Sequence, residues 1–522
     1  MAYKTQHINK KTGAIYVYSV ENYWDKEKKA ARNKQVCLGR LNEETGEIIP
    51  SGRKKRTAVR AAEAAKTTEG MTVHARVFGP YALMDKVAED TGLKEAAKKC
   101  FNNGTDDVLS LAYFMVHRGL PLSRIENWSE SMEHPGGRTI SSQRVSSLLH
   151  DLTEEVRERF FALWMKKLSE AECFCYDITS VSSYAENNAY VRWGYNRDGE
   201  RLPQINLAML FGQVSGLPAY FRSLPGSISD VATLRTTMKA LDFLGQKRMT
   251  FVLDKGFYSE ANVDALFDAH HHFVLAPPIG RKWIKAMIDK CYDTIRMPDC
   301  YRKNEEGEPL FMTTQLHSWK GRRCYLHVFF NSKRAAEVYD GFTSDLLEWK
   351  EELESGKPDE RHQEQYDTFF LVKDTPIRGR SVKYNHDAIE KHRDRYAGFF
   401  CIMTTEKMAP DAALKIYRNK DVVENCFDDL KNSLDMKRLR VHSSRTMEAR
   451  LFVQFIALIL LSKIRVIIKS NEKLKYMTVR ETLEAMETIV HIKYAGRYGE
   501  LLTEAGPLQR DIMLAFGLPL PD

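Results

Sequence analysis

What most limits the fold of this chain is a series of short apolar runs between residues 173 and 276. Cys173 to Val181 reads as a strand that ends in polar residues. Ile205 to Gly212 and Leu217 to Arg222 follow as two more, separated by Gln213-Val-Ser-Gly216. Ser229 or Asp230 can cap a helix running through Val231, Leu234, Met238 and Leu241 to about Leu244. Met249 to Asp254 is a buried-strand run, a second helix spans about 259–269, and His272 to Ala276 closes the pattern. Three consecutive strands, then helix, strand, helix, strand predict an α/β layer with a mixed sheet.

Two of these strands end on an aspartate. Asp177 is followed by Ile-Thr-Ser, and Asp254 by Lys-Gly-Phe-Tyr-Ser. Ligands collect at strand ends in open α/β sheets, because side chains there escape the core. A single such Asp is more often a turn residue or a helix cap.

A third carboxylate comes from Tyr417 to Lys431, which contains no Gly or Pro. Tyr417, Val423, Phe427 and Leu430 fall at roughly helical spacing. Glu424 lies seven residues after Tyr417 and seven before Lys431, so on one helix all three face nearly the same side, with Lys420 close to it. On this segment alone an amphipathic helix with i,i+4 ion pairs is the plainer reading. Two strand-end aspartates plus this glutamate make a sharper set, because hard carboxylate oxygens suit Mg²⁺ or Mn²⁺.

Together these residues resemble bacterial insertion-sequence transposases of the DDE class, in the group with a Tyr-x2-Arg-x3-Glu-x6-Lys signature. Tyr417, Glu424 and Lys431 match its spacing, and Lys420 stands where Arg is usual, keeping the charge without the bidentate fork. Asp177 matches the first Asp and Asp254 the second. Gly194 to Asp198 with Leu202-Pro-Gln204 resembles the segment before the second strand of that family. The resemblance covers about 170–465. It implies a ribonuclease H-like core of mixed sheet and flanking helices, interrupted by a β-containing insertion. It implies Asp177, Asp254 and Glu424 as catalytic ligands of two Mg²⁺ or Mn²⁺ ions, with Tyr417, Lys420 and Lys431 on phosphates near the scissile bond. It further implies cleavage at transposon ends and attack of the freed 3′-hydroxyl on target DNA. The implied partners are double-stranded terminal inverted repeats and target DNA, with a homodimer as the active assembly. A ribonuclease H-like nuclease without strand transfer, and a silent transposase-derived DNA-binding protein, are the competing expectations.

The rest of the chain is organised around that core. Residues 1–60 suggest a small β-rich segment ending in a basic cluster, Arg53 to Arg56 and Arg60, which is a solvated linker or a DNA-tracking arm. Residues 61–169 turn helical and are a candidate DNA-binding domain, with Val145, Leu148, Leu149, Leu152, Val156, Phe160 and Trp164 in one stripe beside Arg138, Arg144, Arg157 and Arg159. The core is expected at 170–279 and 396–470, the insertion at 280–395, and a C-terminal helical segment at 471–522. A charged helix over 344–354 and a long apolar helix over about 445–468 are expected within them.

Smaller features allow two readings each. Arg192 and Arg197, near Trp193 and Tyr195, line a DNA groove or a solvated loop with an aromatic anchor. Trp283, Trp319 and Trp349 are candidates, by location only, to stack an extruded base, and otherwise core residues. His270 to His272 is a metal tract or, more simply, a polar turn.

Composition sets the outer bounds. With 43% hydrophobic and 28% charged residues the chain is of globular type rather than disordered. Nine scattered cysteines without a CxxC pair argue against structural zinc and for reduced thiols. The N-terminus has no apolar signal-like run, and Leu451 to Leu461 is too short to span a bilayer, so the expected setting is cytoplasmic with no membrane partner. A net charge of +8 is compatible with nucleic acid without requiring it.

Overall fold

A computed structural model of the protein describes residues 2–9, 14–25, 30–42, 47–49, 73–168, 172–186, 188–303, 307–375, 379–392, 395–439, 441, 443–494 and 499–521. The chain divides into two compact units: Met1–His74 with Lys493–Glu500, and Ala75–Ile492 with Leu501–Asp522. The basic cluster at 53–60 lies outside the described residues.

The first unit is an antiparallel sheet in the order β1 (Ala2–Ile8), β2 (Ile15–Asp25), β3 (Ala30–Leu41) and β4 (Ile48–Ile49). The strands β2 and β3 pair from Tyr16↔Arg40 out to Asp25↔Ala30. The charged stretch from Asp25 to Arg32 supplies strand residues on both sides, Asp25 on β2 and Ala30 to Arg32 on β3.

The second unit opens with six helices: α1 (Gly79–Asp90), α2 (Leu93–Phe101), α3 (Thr105–Arg118), α4 (Ile125–Ser131), α5 (Ser142–Asp151) and α6 (Glu154–Met165). Caps fix several starts. The Ser141 and Thr153 side chains accept from the backbone N–H of Arg144 and Val156, as their β-region backbone allows. The arginines of the helical stripe are largely spoken for. Arg138 and Arg144 both close on buried Asp107, and Arg157 lies 3.9 Å from Glu448.

The central sheet follows. Its strands are β5 (Cys173–Ser183), β6 (Gln204–Gly212), β7 (Pro218–Pro225), β8 (Thr250–Leu253) and β9 (His272–Leu275). They lie in the order β7-β6-β5-β8-β9, the first three antiparallel and β5, β8 and β9 parallel. Helices α7 (Asp230–Phe243) and α8 (Glu260–Asp268) make the crossovers. This is a ribonuclease H-like mixed sheet flanked by helices.

The block expected as an insertion is only partly one. After α9 (Lys282–Cys291), strands β10 (Tyr301–Lys303), β11 (Pro309–Trp319) and β12 (Arg322–Phe330) extend the core sheet itself. The sheet continues from β9 through β15 (Phe399–Thr404) to β12, β11 and β10, all antiparallel. Apolar alternation in Cys324, Leu326 and Val328, all buried, explains why these residues join the core. What stands off the sheet is α10 (Ser332–Glu354), α11 (Gln363–Phe369), the pair β13 (Phe370–Thr375) and β14 (Gly379–Tyr384), and α12 (His386–His392). These carry their own small core of Leu346, Leu353, Tyr366, Phe369, Phe370 and Val382. The single charged helix expected over 344–354 is the end of the 23-residue α10.

Helices α13 (Pro410–Arg418), α14 (Asp421–Asp428) and the 27-residue α15 (Ser444–Ser470) complete the core. By length and composition α15 could cross a membrane. Here every residue from Leu451 to Leu461 is buried, and Phe452 meets Phe101, Phe160 and Phe161 edge-on. One continuous hydrophobic core therefore joins the helical module to the sheet. The C-terminal segment is not purely helical: strands Val490–Tyr494 and Glu500–Leu502 lie between α16 (Val479–Met486) and α17 (Pro507–Ala515).

Candidate active site

Parallel register brings the two aspartates together. Cys173 pairs with Thr250 and Tyr176 with Leu253, so the next residue on each chain, Asp177 and Asp254, stands at the same level on neighbouring strands. Asp177 is still inside β5, where its Oδ1 accepts the backbone N–H of Ile178 at 2.8 Å. Asp254 follows β8 and precedes a 3₁₀ turn at Lys255–Phe257. A small cleft of about 40 Å³ lies between them, lined by Cys175, Tyr176, Asp177, Val252, Asp254, Lys420, Val423 and Glu424. The three acids singled out in the sequence thus border one cavity.

Glu424 reaches the cleft from α14. The buried face of that helix is Val423, Cys426 and Phe427, spaced three and four residues apart, and Cys426 Sγ lies 3.3 Å from Met209 Sδ on β6. Glu424 follows Val423 in sequence and is exposed at the cleft rim.

The expected single helix from Tyr417 to Lys431 is not what forms. Helix α13 ends at Arg418, the ladder breaks at Asn419 and Lys420, and α14 gives way to a π-helical turn at Asp429–Ser433. A break rotates side chains out of 3.6-residue phase, so the spacing argument for one shared face fails. Its effect is to aim two groups at one atom. Tyr417 Oη donates to Asp254 Oδ1 at 2.6 Å, and Lys420 Nζ donates to the same oxygen at 2.8 Å. Lys431, beyond the break, does not line the cleft; its ammonium is held by both oxygens of Asp198 at 2.7 and 2.8 Å. The π turn is itself secured by Arg465, which grips buried Asp429 with two guanidinium nitrogens.

The two aspartates differ electrostatically. Burial pushes the Asp177 carboxyl up to about 6, against the opposing pull of the Ile178 N–H and the Arg197 charge. Burial also acts on Asp254, yet the hydrogen bonds from Lys420 and Tyr417 outweigh it and hold that carboxyl below its usual range. Tyr417 is pushed the other way, first by burial and then by its bond to the carboxylate. Among the described residues no three His, Cys, Asp or Glu side chains are drawn into a closed metal-ligating set. Asp254 is instead neutralised by an internal ammonium. The donor chemistry of the cleft fits a hard divalent cation: three carboxylates, no imidazole, and a Cys175 thiol that burial pushes up to about 12 and so keeps protonated.

Arg192 and Arg197 separate. Arg192 is exposed and turns its guanidinium onto the carbonyls of Asn188 and Val191. Arg197 pairs with Asp230 at 2.5 Å and touches Ser180 Oγ at 3.4 Å, three residues beyond Asp177. The loop between them approaches the backbone closely: a Cβ on Gly194 would meet the Gly226 carbonyl oxygen at 1.9 Å. Asp198 and Asp230, which the sequence offered only as the end of the Gly194–Asp198 segment and as a helix cap, are the anchors of Lys431 and Arg197. Each of the three tryptophans packs against neighbours in the fold. Trp283 stacks on His317, Trp319 is buried and donates to Asp264, and Trp349 stacks on Phe369. The histidine run is a turn: His270 has φ +56° and buried His271 accepts from the Met249 N–H.

The site thus has one acid within β5, one just past β8 and one on a following helix, all bordering one cleft. A family model described as a transposase DDE domain matches residues 169–460, more than half of the 522-residue chain. The protein belongs to the DDE transposase family, enzymes of DNA cleavage and strand transfer. No curated protein matches it. Among solved structures it is similar to the piggyBac transposase synaptic complex with hairpin DNA, at 9% identity over 78% of this chain and 77% of that one, with a TM-score of 0.37. The Mos1 transposase paired-end complex with left transposon end matches at 12% identity over 44% and 69%, with a TM-score of 0.15.

Proposed function

We propose that this transposase cuts DNA at the ends of its own element and joins the freed 3′ ends to target DNA, using Asp177, Asp254 and Glu424 as catalytic carboxylates. The observation that carries this reading is the shared cleft, to which two adjacent parallel strands and one later helix each contribute an acid. These three residues would hold Mg²⁺ or Mn²⁺. Two such ions, when bound, activate an attacking hydroxyl and stabilise the leaving oxygen of an in-line displacement.

The chain's own groups prepare that cleft. Tyr417 and Lys420 orient Asp254, and the Lys420 ammonium offers its charge to a phosphate oxygen entering beside it. Lys431 and Arg197, held by Asp198 and Asp230, exchange those acids for phosphates of the bound strand. Burial keeps a proton on Asp177 up to about pH 6, so its capacity as a ligand grows as pH rises through that value. The substrate is double-stranded DNA, as terminal inverted repeats and target, handled by a homodimer in the cytoplasm.

Incubating the protein with Mg²⁺, a labelled DNA end and a target plasmid tests the proposal. Joined products support it; cut ends without joining make the protein a nuclease. Binding without cutting makes it a silent relative.

A further inference from the structure

We infer that Asp198, Glu200 and Asp230 are specificity-determining residues: by holding the cations around the cleft, they keep DNA without the element's ends from engaging it. The inference rests on the transposase reading above and adds to it what makes that site selective.

The first observation is that these cations are already occupied. Lys420, the cation that lines the cleft, lies on Asp254. Arg197, whose guanidinium touches Ser180 on β5, closes on Asp230 at 2.5 Å. Lys431 is held by both oxygens of Asp198, at 2.7 and 2.8 Å. Arg438 completes the set. It lies on a short strand, Arg438–Leu439, that pairs with the end of β5 at Ser182. Its guanidinium donates twice to Glu200 Oε1, at 2.7 and 3.1 Å. Arg197, Lys431 and Arg438 thus each face a carboxylate outside the catalytic set.

The second observation is how those carboxylates are placed. Asp198 and Glu200 flank Gly199, whose φ of +71° makes a turn that other residues adopt only with strain. The Asn196 side-chain oxygen accepts the backbone N–H groups of Asp198 and Glu200, at 2.9 and 3.4 Å, and closes that turn. The Tyr195 carbonyl accepts from Gln204 Nε2 at 2.8 Å, and the close approach of Gly194 to Gly226 fixes the start of the loop. Asp230 sits in the first turn of α7. The acids are therefore held by the backbone, in the positions where phosphate oxygens would otherwise meet the cations.

A phosphate that reaches one of these cations displaces a carboxylate, so one charge-assisted bond replaces another and the net gain is small. Random duplex binds mainly through free Lys and Arg that release counterions, and it draws little affinity from this face. A DNA end held by contacts to its bases brings its phosphates to the same cations at high local concentration and completes the exchange. Through Arg197, Lys431 and Arg438 the acids thereby decide which DNA is cut.

The test uses the full-length protein and DNA that lacks the element's ends. Asp198→Asn, Glu200→Gln and Asp230→Asn are combined. A matched triple, Asp90→Asn, Glu337→Gln and Glu484→Gln, makes the same charge change by freeing Lys86, Lys333 and Arg480 on exposed helix faces. Binding to a labelled random duplex of about 40 base pairs, roughly four turns, is followed by anisotropy across salt concentrations. Each phosphate contact contributes about 0.9 to the salt slope, so the cleft triple should steepen it by about 2 to 3 and bind at least about tenfold more tightly. The matched triple should change binding by about twofold or less, because exposed charges away from the DNA are screened. With Mg²⁺ the cleft triple should nick a supercoiled plasmid that the wild type leaves intact. A purely structural role for the acids would lower both readouts. Asp198→Asn and Glu200→Gln alone, each expected to add about 0.9 to the slope, carry the test if the triple does not fold. An unchanged slope in a folded cleft variant, or equal gains in both triples, overturns the inference and leaves the transposase reading intact. A wild type that binds and cuts no DNA, ends included, overturns that reading instead.

Discussion

The two halves of the active site are built differently. Residues 173–276 place Asp177 and Asp254 through sheet register, which a pattern of strands and helices specifies in advance. Residues 405–433 place Tyr417, Lys420 and Glu424 through a broken helix, and the break decides which groups meet. Register is robust, because β5 is buried on both faces and a one-residue slip would misplace nearly every one of its side chains in the core. Helix breaks are soft, because they turn on a few local hydrogen bonds. The three acids, two from the sheet and one from the helix half, should therefore carry the chemistry, and Tyr417 and Lys420 should tune it.

The largest effect expected follows from that division. Asp177→Asn, Asp254→Asn or Glu424→Gln should each lower cleavage of a DNA end by at least about a thousandfold, the several kcal/mol that metal ligation contributes, with duplex binding unchanged. Near-normal cleavage by any one of them would remove that residue from the site.

Lys420→Ala comes next and should separate two readouts. Cleavage falls about tenfold for want of a phosphate contact, whereas Mn²⁺ binding measured by calorimetry tightens, because an ammonium no longer competes for Asp254 Oδ1. Unchanged Mn²⁺ affinity would show that the Lys420 contact does not govern the carboxylate. Tyr417→Phe removes a hydrogen bond to a charged acceptor and should destabilise the fold by roughly 1.5–3 kcal/mol in urea unfolding.

A pH series in EDTA gives a further contrast. The folded-state pKa of Asp177 is raised to about 6, so folding favours its protonated form. Its contribution to stability is complete below the unfolded carboxylate range and is lost as pH rises through about 6. Asp254 has the opposite sign, since its carboxyl is lowered and its contribution is lost only as pH falls. Asp177→Asn should therefore flatten the decline in melting temperature between about pH 4 and 6. A wild-type profile that does not decline there would contradict the assigned burial. The smallest effect should come from Lys431→Met, which breaks a partly buried pair with Asp198 and costs about 1 kcal/mol or less.

The same contrast explains what the sequence made legible. Each core strand and crossover helix appeared as an apolar run of the right period, so the sheet and its two aspartates could be read directly. Glu424 was found by spacing, although the single helix assumed for that spacing does not exist. Residues 309–330 were taken for part of an insertion because no local pattern records that β12 pairs with β15, some seventy residues away. The Lys420 and Tyr417 clamp on Asp254 spans more than 160 positions and depends on a two-residue helix break. The helical module looked basic because arginines are visible in sequence while their closure on Asp107 is not.

Titration of the purified protein with Mn²⁺, followed by calorimetry in parallel for wild type, Asp177→Asn, Asp254→Asn and Glu424→Gln, tests the central claim most directly. The account predicts saturable binding by the wild type that each substitution weakens by at least about tenfold. Wild-type affinity in all three variants would mean that these acids do not share a cation.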